Sequence, residues 1–356
     1  MVTPGHPIEP GLVSVIMSNF NTSRTYIREA INSVLTQTYP HLELIIIEDA
    51  STNNSPLEIV CYQDPRIRVF HNEENMGLAA SLNRAMRHCR GEFIARMDTD
   101  DVCCPQRIER QVEFLREHPD VVVCGTWVEK VFETDAQKTS KKICTVLPAD
   151  REEYRIYLLF GNSPTLEHPS AMFNHRLLKK YDIKYHAKYR YAQDYRMWVS
   201  CAKHAPCAIV PEVLLKFRRH SDSVSAAKRD RQIEYAYQII QGQLDALHLT
   251  LPDDMKEFHR GLFKDRKPYD IRIKKWIEQM ITANRKYKVY HQKKFERILW
   301  FGWVRVCYFA LRESKGKKET LRILCSIPIL RYPQLVSLYT KRKNHSKLQV
   351  KEENHG

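Results

Sequence analysis

Glycine-rich phosphate loops, zinc-type cysteine pairs and long apolar runs are all missing from this chain of 356 residues. Neither GxGxxG nor GxxxxGK(S/T) occurs, which argues against a dinucleotide-binding fold or a P-loop kinase. Eleven glycines and 17 prolines are too few for a collagen-like or low-complexity chain, and no internal repeat is found. The ten cysteines form no CxxC pair, and Cys103 and Cys104 are adjacent, which suits neither zinc-ligand spacing nor a compact disulfide framework. Residues 1–10 carry no apolar signal core, so the expectation is a cytosolic protein with reduced thiols. The longest apolar run, Ile298 to Leu311, has 14 residues and is broken by Arg305. A membrane-spanning helix needs about 20, so no such segment is expected.

What is present is a core-forming composition, 43% hydrophobic, with a lopsided charge. Residues 1–255 hold 31 Lys+Arg against 33 Asp+Glu, whereas residues 256–356 hold 26 against 9 and so carry the whole net charge of +15 and more. A shift this sharp marks a boundary between parts that meet different partners. The expected organisation is an N-terminal segment (1–10), an α/β domain (11–235), a basic, mostly helical region (236–345) and a polar tail (346–356).

In the first part, short β-prone runs at Leu12–Ser18, Leu42–Ile47, Arg66–Phe70, Glu92–Arg96 and Val121–Val128 alternate with helical spacing. Ile27, Ala30, Ile31, Val34 and Leu35 share one helical face, as do Leu78, Leu82, Ala85, Met86 and Cys89, and then Ile108, Val112 and Leu115. Strand and helix in alternation mean an α/β sandwich with a mainly parallel sheet, whose ligands sit beyond the carboxyl ends of the strands. At those ends stand Asn19-Phe20-Asn21, Glu48-Asp49-Ala50-Ser51 and Met97-Asp98-Thr99-Asp100-Asp101. If the fourth strand persists to Asp100, Asp98 and Asp100 point to one side. Carboxylates at this density repel unless a cation sits among them, and hard oxygen ligands suit Mg²⁺ or Mn²⁺ with substrate phosphates. A solvated loop or a helix cap is the competing reading of the triplet.

The blocks Val-Ser-Val-Ile-Met-Ser-Asn-Phe-Asn (13–21), Ser-Val-Leu-Thr-Gln-Thr-Tyr (33–39), Glu-Leu-Ile-Ile-Ile-Glu-Asp-Ala-Ser-Thr (43–52), Asn-Met-Gly-Leu-Ala-Ala-Ser-Leu-Asn (75–83) and Met-Asp-Thr-Asp-Asp (97–101) resemble, in order, those of family 2 glycosyltransferases. The resemblance continues through Gln-Asp-Tyr-Arg-Met-Trp (193–198) to Arg-Arg-His-Ser-Asp-Ser-Val-Ser (218–225), covering about residues 11–230. It implies a GT-A fold, a nucleotide-sugar donor and a divalent metal, Mn²⁺ or Mg²⁺. By position, Asp49 resembles the residue that bonds the uracil ring, with Asn21, Gly77 and Asn83 on the same nucleotide-sugar side. Asp98 would contact the ribose, and Asp100 would reach the metal with Asp101 as a competing ligand. His220 resembles the histidine that closes over the diphosphate and completes the metal site. Two departures stand out. Ala50 replaces a frequent glycine, which is tolerable only if its φ stays negative, and Gln193 replaces the glutamate that usually precedes Asp194.

The implied chemistry is a single displacement that inverts the anomeric centre, with Asp194 as general base. The segment around Gly161-Asn-Ser-Pro and His168-Pro-Ser-Ala-Met resembles the acceptor side of bacterial lipo-oligosaccharide N-acetylglucosaminyltransferases, which makes Glu167 and His168 candidates to line the acceptor pocket. The expected donor is a UDP-sugar, UDP-N-acetylglucosamine or UDP-galactose, and the expected acceptor a glycan or lipid-linked glycan. A catalytically silent nucleotide-sugar-binding protein is the alternative. The basic region, with Trp276, Trp300 and Trp303, reads as a helical bundle that also touches anionic membrane on its cytoplasmic side, the tryptophans in the headgroup layer. Nucleic acid is not expected as a partner, because no recognised binding motif accompanies the charge.

Overall fold

The computed structural model describes residues 7–133, 138–161, 165–219, 229–263 and 270–313, without the side chains of residues 133, 138 and 311–313. In chain order the elements are β1 (Glu9–Asn19), α1 (Arg24–Leu35), β2 (Leu42–Glu48), α2 (Ser55–Val60), β3 (Ile67–His71), α3 (Leu78–His88), β4 (Gly91–Arg96), β5 (Val102–Cys103), α4 (Arg107–Glu117), β6 (Val123–Glu133) and β7 (Lys138–Ile143). There follow α5 (Arg151–Leu158), β8 (Met172–Asn174), α6 (His175–Lys180), α7 (Gln193–His204), β9 (Cys207–Arg219), α8 (Arg229–Leu244), α9 (Lys256–Gly261), α10 (Ile271–Tyr287) and α11 (Gln292–Glu313). The chain divides into two compact units, residues 1–151 with 164–236, and residues 152–163 with 237–356.

The first unit is built on one sheet of order β3-β2-β1-β4-β8-β6-β9-β5, with β7 paired to β6. Its first four strands are parallel, as the alternating pattern predicts. Beyond β4 the sheet is mixed, because β8 runs antiparallel to both β4 and β6 while β6 and β9 are parallel. β8 is only three residues long and is entered through a 3₁₀ turn at His168–Ser170. The runs that are apolar from end to end are buried on both faces. Val13, Val15 and Met17 of β1 and Leu44 and Ile46 of β2 pack with Ile27, Ile31 and Val34 of α1 in the core. At Gly91 an added Cβ would lie 2.6 Å from Ser14 N and 2.7 Å from Leu12 O, so only glycine lets β4 begin this close to β1.

The second unit is helical. α10 buries Ile273, Trp276, Ile277, Met280 and Ile281, and α11 buries Ile298 to Val304, including Trp300 and Trp303. All three tryptophans are therefore core residues, and the expectation that they sit in a lipid headgroup layer is corrected: none has a surface to offer. No helix among the described residues is long and apolar enough to cross a membrane. His259 holds this core together. Its Nε2 lies 2.9 Å from Leu159 O, its Nδ1 accepts the Trp276 indole N–H at 3.0 Å, and its ring stacks on Phe160 at 4.7 Å.

That arrangement accommodates one protonation state. A proton on Nδ1 would abolish the Trp276 bond, and burial holds the His259 pKa down at about 4, against 6.5 when free. The folded state thus binds fewer protons than the unfolded one between these values. Stability is full above pH 6.5 and declines as pH falls toward 4, by about 3 kcal/mol if the whole shift is realised. Thermal melts followed by tryptophan fluorescence between pH 4 and 7.5 should show this slope, and His259→Gln should flatten it.

Candidate active site

β4 ends at Arg96, and the next residues turn rather than extend, with Asp101 N–H 3.5 Å from Asp98 O. The strand does not persist to Asp100, so alternation is not what aligns the carboxylates. The turn does it, bringing ligand oxygens of Asp98, Asp100 and Asp101 within 4.8 Å of one another. Asp101 is fully buried: one oxygen accepts Arg218 N–H at 2.8 Å, and the other, Oδ2, has no hydrogen-bond partner among the described residues. A buried carboxylate oxygen left open beside two further carboxylates fits a divalent cation. Burial raises the Asp101 pKa well above the ordinary carboxylate range, with the Asp98 and Asp100 charges adding to it. Asp98 is raised chiefly by burial as well, and opposed by Arg96. Neither Asp101 nor Asp98 caps α4, whose N-cap is Gln106.

Cations that the motif reading overlooked lie directly around this turn. Arg96 is buried and grips both oxygens of Asp98, the Nη1–Oδ2 bond measuring 2.7 Å. Arg107, also fully buried, donates to Arg96 O at 2.8 Å and to Gln111 Oε1 at 3.0 Å. Arg218, at the end of β9, donates through Nη1 to Asp100 O at 3.0 Å, pairs with Glu29 and covers the Tyr26 ring at 4.6 Å. Arg218 opens the quoted Arg-x-His block, which was its one sequence signal. His220 of that block lies outside the described residues.

Residues from the other strand ends form the rim. Asp49 is buried, and its carboxylate accepts four hydrogen bonds: Asn72 Nδ2 (2.5 Å) and Met76 N–H (2.9 Å) on Oδ1, Asn75 Nδ2 (3.2 Å) and Gly77 N–H (2.9 Å) on Oδ2. It fastens the loop between β3 and α3 to the end of β2. Gly77, the N-cap of α3, has φ +81°, which glycine alone adopts freely. Asn21, φ +55°, accepts Thr52 N–H at 2.8 Å and Asn53 N–H at 3.2 Å, tying β1 to the loop after β2. Ala50 has φ +57°, so the expectation of a negative φ is corrected: the bonds made by its neighbour Asp49 hold the loop in a left-handed turn that alanine tolerates at a cost of about 1–2 kcal/mol.

Asn83 exchanges two hydrogen bonds with the Tyr185 backbone, at 2.8 and 2.9 Å, and the Tyr185 hydroxyl lies 2.8 Å from His168 Nε2. His168 is buried and held well below its usual pKa by that burial and by Arg96. Its placement is that of a neutral packing residue rather than a pocket wall. Glu167, half-buried, pairs with Lys130 at 2.8 Å. Asp194 sits in the first turn of α7, behind the N-cap Ala192, and accepts Tyr195 N–H at 2.7 Å. Burial raises its pKa, Arg96 pulls it down and Glu167 pushes it up, so it lies within electrostatic reach of both. The neighbouring Gln193 Oε1 is buried without a hydrogen-bond partner among the described residues.

Two outcomes follow from this geometry. Ala50→Gly should stabilise the protein by about 1 kcal/mol in denaturant unfolding, because glycine adopts the left-handed φ without strain. Asp101→Asn should raise the melting temperature of the metal-free protein, by relieving a buried charge worth about 1–3 kcal/mol. Added Mn²⁺ should raise the wild-type melting temperature and leave that of the variant unmoved.

Comparison with known proteins gives the same picture. The family model for glycosyl transferase family 2 matches residues 14–182. An uncharacterized glycosyltransferase of Methanocaldococcus jannaschii is 32% identical over 231 residues, 64% of this chain and 77% of that protein. Among solved structures, residues 1–349 of Staphylococcus aureus TarS in complex with UDP-GlcNAc superpose with a TM-score of 0.53 at 17% identity, covering 84% of this chain and 89% of that TarS segment. A mannosyltransferase of Pyrobaculum calidifontis with GDP-Man and Mn²⁺ gives 0.50 at 16%, covering 95% and 87%. At these identities the two structures speak for the GT-A fold alone, and the sequence relatives decide the family. The chain belongs to glycosyltransferase family 2.

Proposed function

We propose that this glycosyltransferase moves a sugar from a UDP-sugar, UDP-N-acetylglucosamine or UDP-galactose, to a hydroxyl of a glycan or lipid-linked glycan, with inversion at the anomeric carbon. The observation that carries the reading is the acidic turn 98–101, with Asp101 buried and one of its oxygens unpaired among the described residues, and the half-buried Asp194 within reach of its charge. The UDP-GlcNAc bound by TarS supports a nucleotide-sugar donor, and the GDP-Man of the second neighbour makes the base a matter for direct test.

In the proposed reaction Asp194 takes the proton of the acceptor hydroxyl. The acceptor oxygen forms its bond to the anomeric carbon as the bond from that carbon to the phosphate oxygen breaks, and the nucleoside diphosphate leaves. Asp100 and Asp101 would hold Mn²⁺ or Mg²⁺, with His220 as a further ligand, and the ion would neutralise charge on the departing diphosphate. Asp98, oriented by Arg96, faces the ribose. Asn21, Asp49, Gly77 and Asn83 shape the nucleotide-sugar side, chiefly by fixing the loops that border it. Glu167 belongs to the acceptor side, where its negative charge keeps Asp194 basic.

Titration of UDP and of GDP into the protein, with Mn²⁺ and with EDTA, tests the donor site. Metal-dependent UDP binding that disappears in Asp100→Ala is the expected result, and binding of GDP alone would overturn the UDP assignment. Asp194→Asn should lower turnover at least 100-fold and leave UDP binding intact; a silent binding protein would show no turnover to lose. With its pKa raised by burial, Asp194 must shed its proton above the ordinary carboxylate range. The rate should therefore fall as pH drops through that raised value, and a rate still flat at pH 4 would remove Asp194 as the base.

The exposed Lys275, Lys286, Lys288 and Lys293 of the helical unit support adhesion to an anionic membrane surface by charge alone, on the cytoplasmic face. Sedimentation of the full chain with anionic vesicles should be lost on raising salt from 50 to 500 mM, whereas equal binding to neutral vesicles would exclude this mode.

A further inference from the structure

Beyond the acidic turn, β6, β7 and β9 carry a second set of groups. Register places Lys130 opposite both Phe217 and Lys141, and Phe132 opposite both Arg219 and Thr139. Directly paired residues point the same way, as do residues two apart, so these six side chains share one face of the sheet. On it, Lys130 Nζ lies 5.3 Å from the centre of the Phe217 ring and Arg219 Cζ lies 5.1 Å from it, one ring drawing two cations. Phe132 is 41% exposed, a large apolar surface at the rim. The face is joined to the reaction site through the ion pair of Lys130 with Glu167 at 2.8 Å, and the Glu167 charge acts on Asp194.

We infer that this face is the acceptor platform and that it selects an acceptor glycan bearing a negative group, a carboxylate or a phosphate, within a residue or two of the hydroxyl that reacts. The inference rests on the reading of Asp194 as base, and deepens it. Three cations and two aromatic rings against one carboxylate make a surface of net positive charge with an apolar shelf. The apolar face of a pyranose packs on an aromatic ring, and the acid group of the same or the next sugar meets Lys130, Lys141 and Arg219. A neutral glycan would have to leave those cations unmatched. An incoming anion also competes with Glu167 for Lys130. Freed of Lys130, the Glu167 charge acts more strongly on Asp194 and makes it a stronger base once the proper acceptor is seated.

The test measures binding of three probes to the full chain in the presence of UDP and Mn²⁺: trigalacturonate for a carboxylate, farnesyl-diphosphate-linked N-acetylglucosamine for a phosphate, and chitotriose as the neutral control. At least one anionic probe should bind about tenfold tighter than chitotriose, and which one does so identifies the source of the charge. Lys130→Gln with Arg219→Gln should reduce that preference to within twofold, and Lys130→Arg should retain most of it. Equal binding of the neutral probe, or a preference untouched by the double variant, overturns the inference. UDP titration into the same preparation reports on the donor site independently. UDP binding without anion preference sinks the acceptor proposal alone, whereas loss of UDP binding in the wild type sinks the donor reading first.

Discussion

Like charges gathered inside a protein must be compensated, and Asp98, Asp100 and Asp101 set that requirement here. Much of the surrounding architecture answers it. Arg96 meets Asp98 side on, Arg107 lies behind Arg96, and Arg218 closes the far side with its backbone N–H on Asp101 and its guanidinium on Asp100 O. These three arginines come from β4, α4 and β9, so the turn fixes how three separated elements meet. Among the described residues Asp101 Oδ2 is a buried carboxylate oxygen left without a hydrogen-bond partner.

A second constraint is the bordering loops, which are rigid at a cost. Asn21 and Ala50 both hold left-handed backbone, and Gly77 holds a positive φ that other residues resist. Asp49 balances this strain with four hydrogen bonds from a single buried carboxylate. Strained backbone secured in this way is expected beside a binding site, where the loop conformation must exist before the ligand arrives. The consequence is that Asp49 acts on the rim through the loop it anchors as much as through any edge it presents.

What the sequence disclosed follows the range of the forces involved. The strands of the parallel half were legible to within a few residues, because runs such as Leu42–Ile47 are buried on both faces and need no distant partner to be recognised. The acidic triplet was legible as a cluster, yet its geometry was not: a strand was expected where Asp98 to Asp101 form a turn. Arg218 stayed hidden because its partners are more than a hundred positions away, and Arg96 and Arg107 because nothing local signals their burial. An arginine beside an apolar run reads as surface until the fold buries it. The tryptophans of the basic region misled in the opposite direction, since their charged neighbours suggested an interface while the residues at helical spacing packed them inward. Ala50 shows the same limit on a smaller scale, its φ being set by hydrogen bonds to a loop some 26 residues on.

Arg96 acts on two carboxylates at once. Its guanidinium is committed to Asp98 by two bonds, yet its charge also opposes the rise that burial imposes on Asp194. One buried cation therefore orients the acidic turn and lowers the pKa of Asp194. A lysine at this position would keep the charge but lose the planar fork that grips both oxygens of Asp98. The order of the acidic turn and the proton affinity of Asp194 would then come apart, whereas in the present arrangement the same group acts on both. The Lys130–Glu167 pair offsets this from the other side, since Glu167 pushes Asp194 in the direction opposite to Arg96. Asp194 thus feels both a cation committed to the acidic turn and an anion paired with Lys130, and its affinity for a proton depends on the two together.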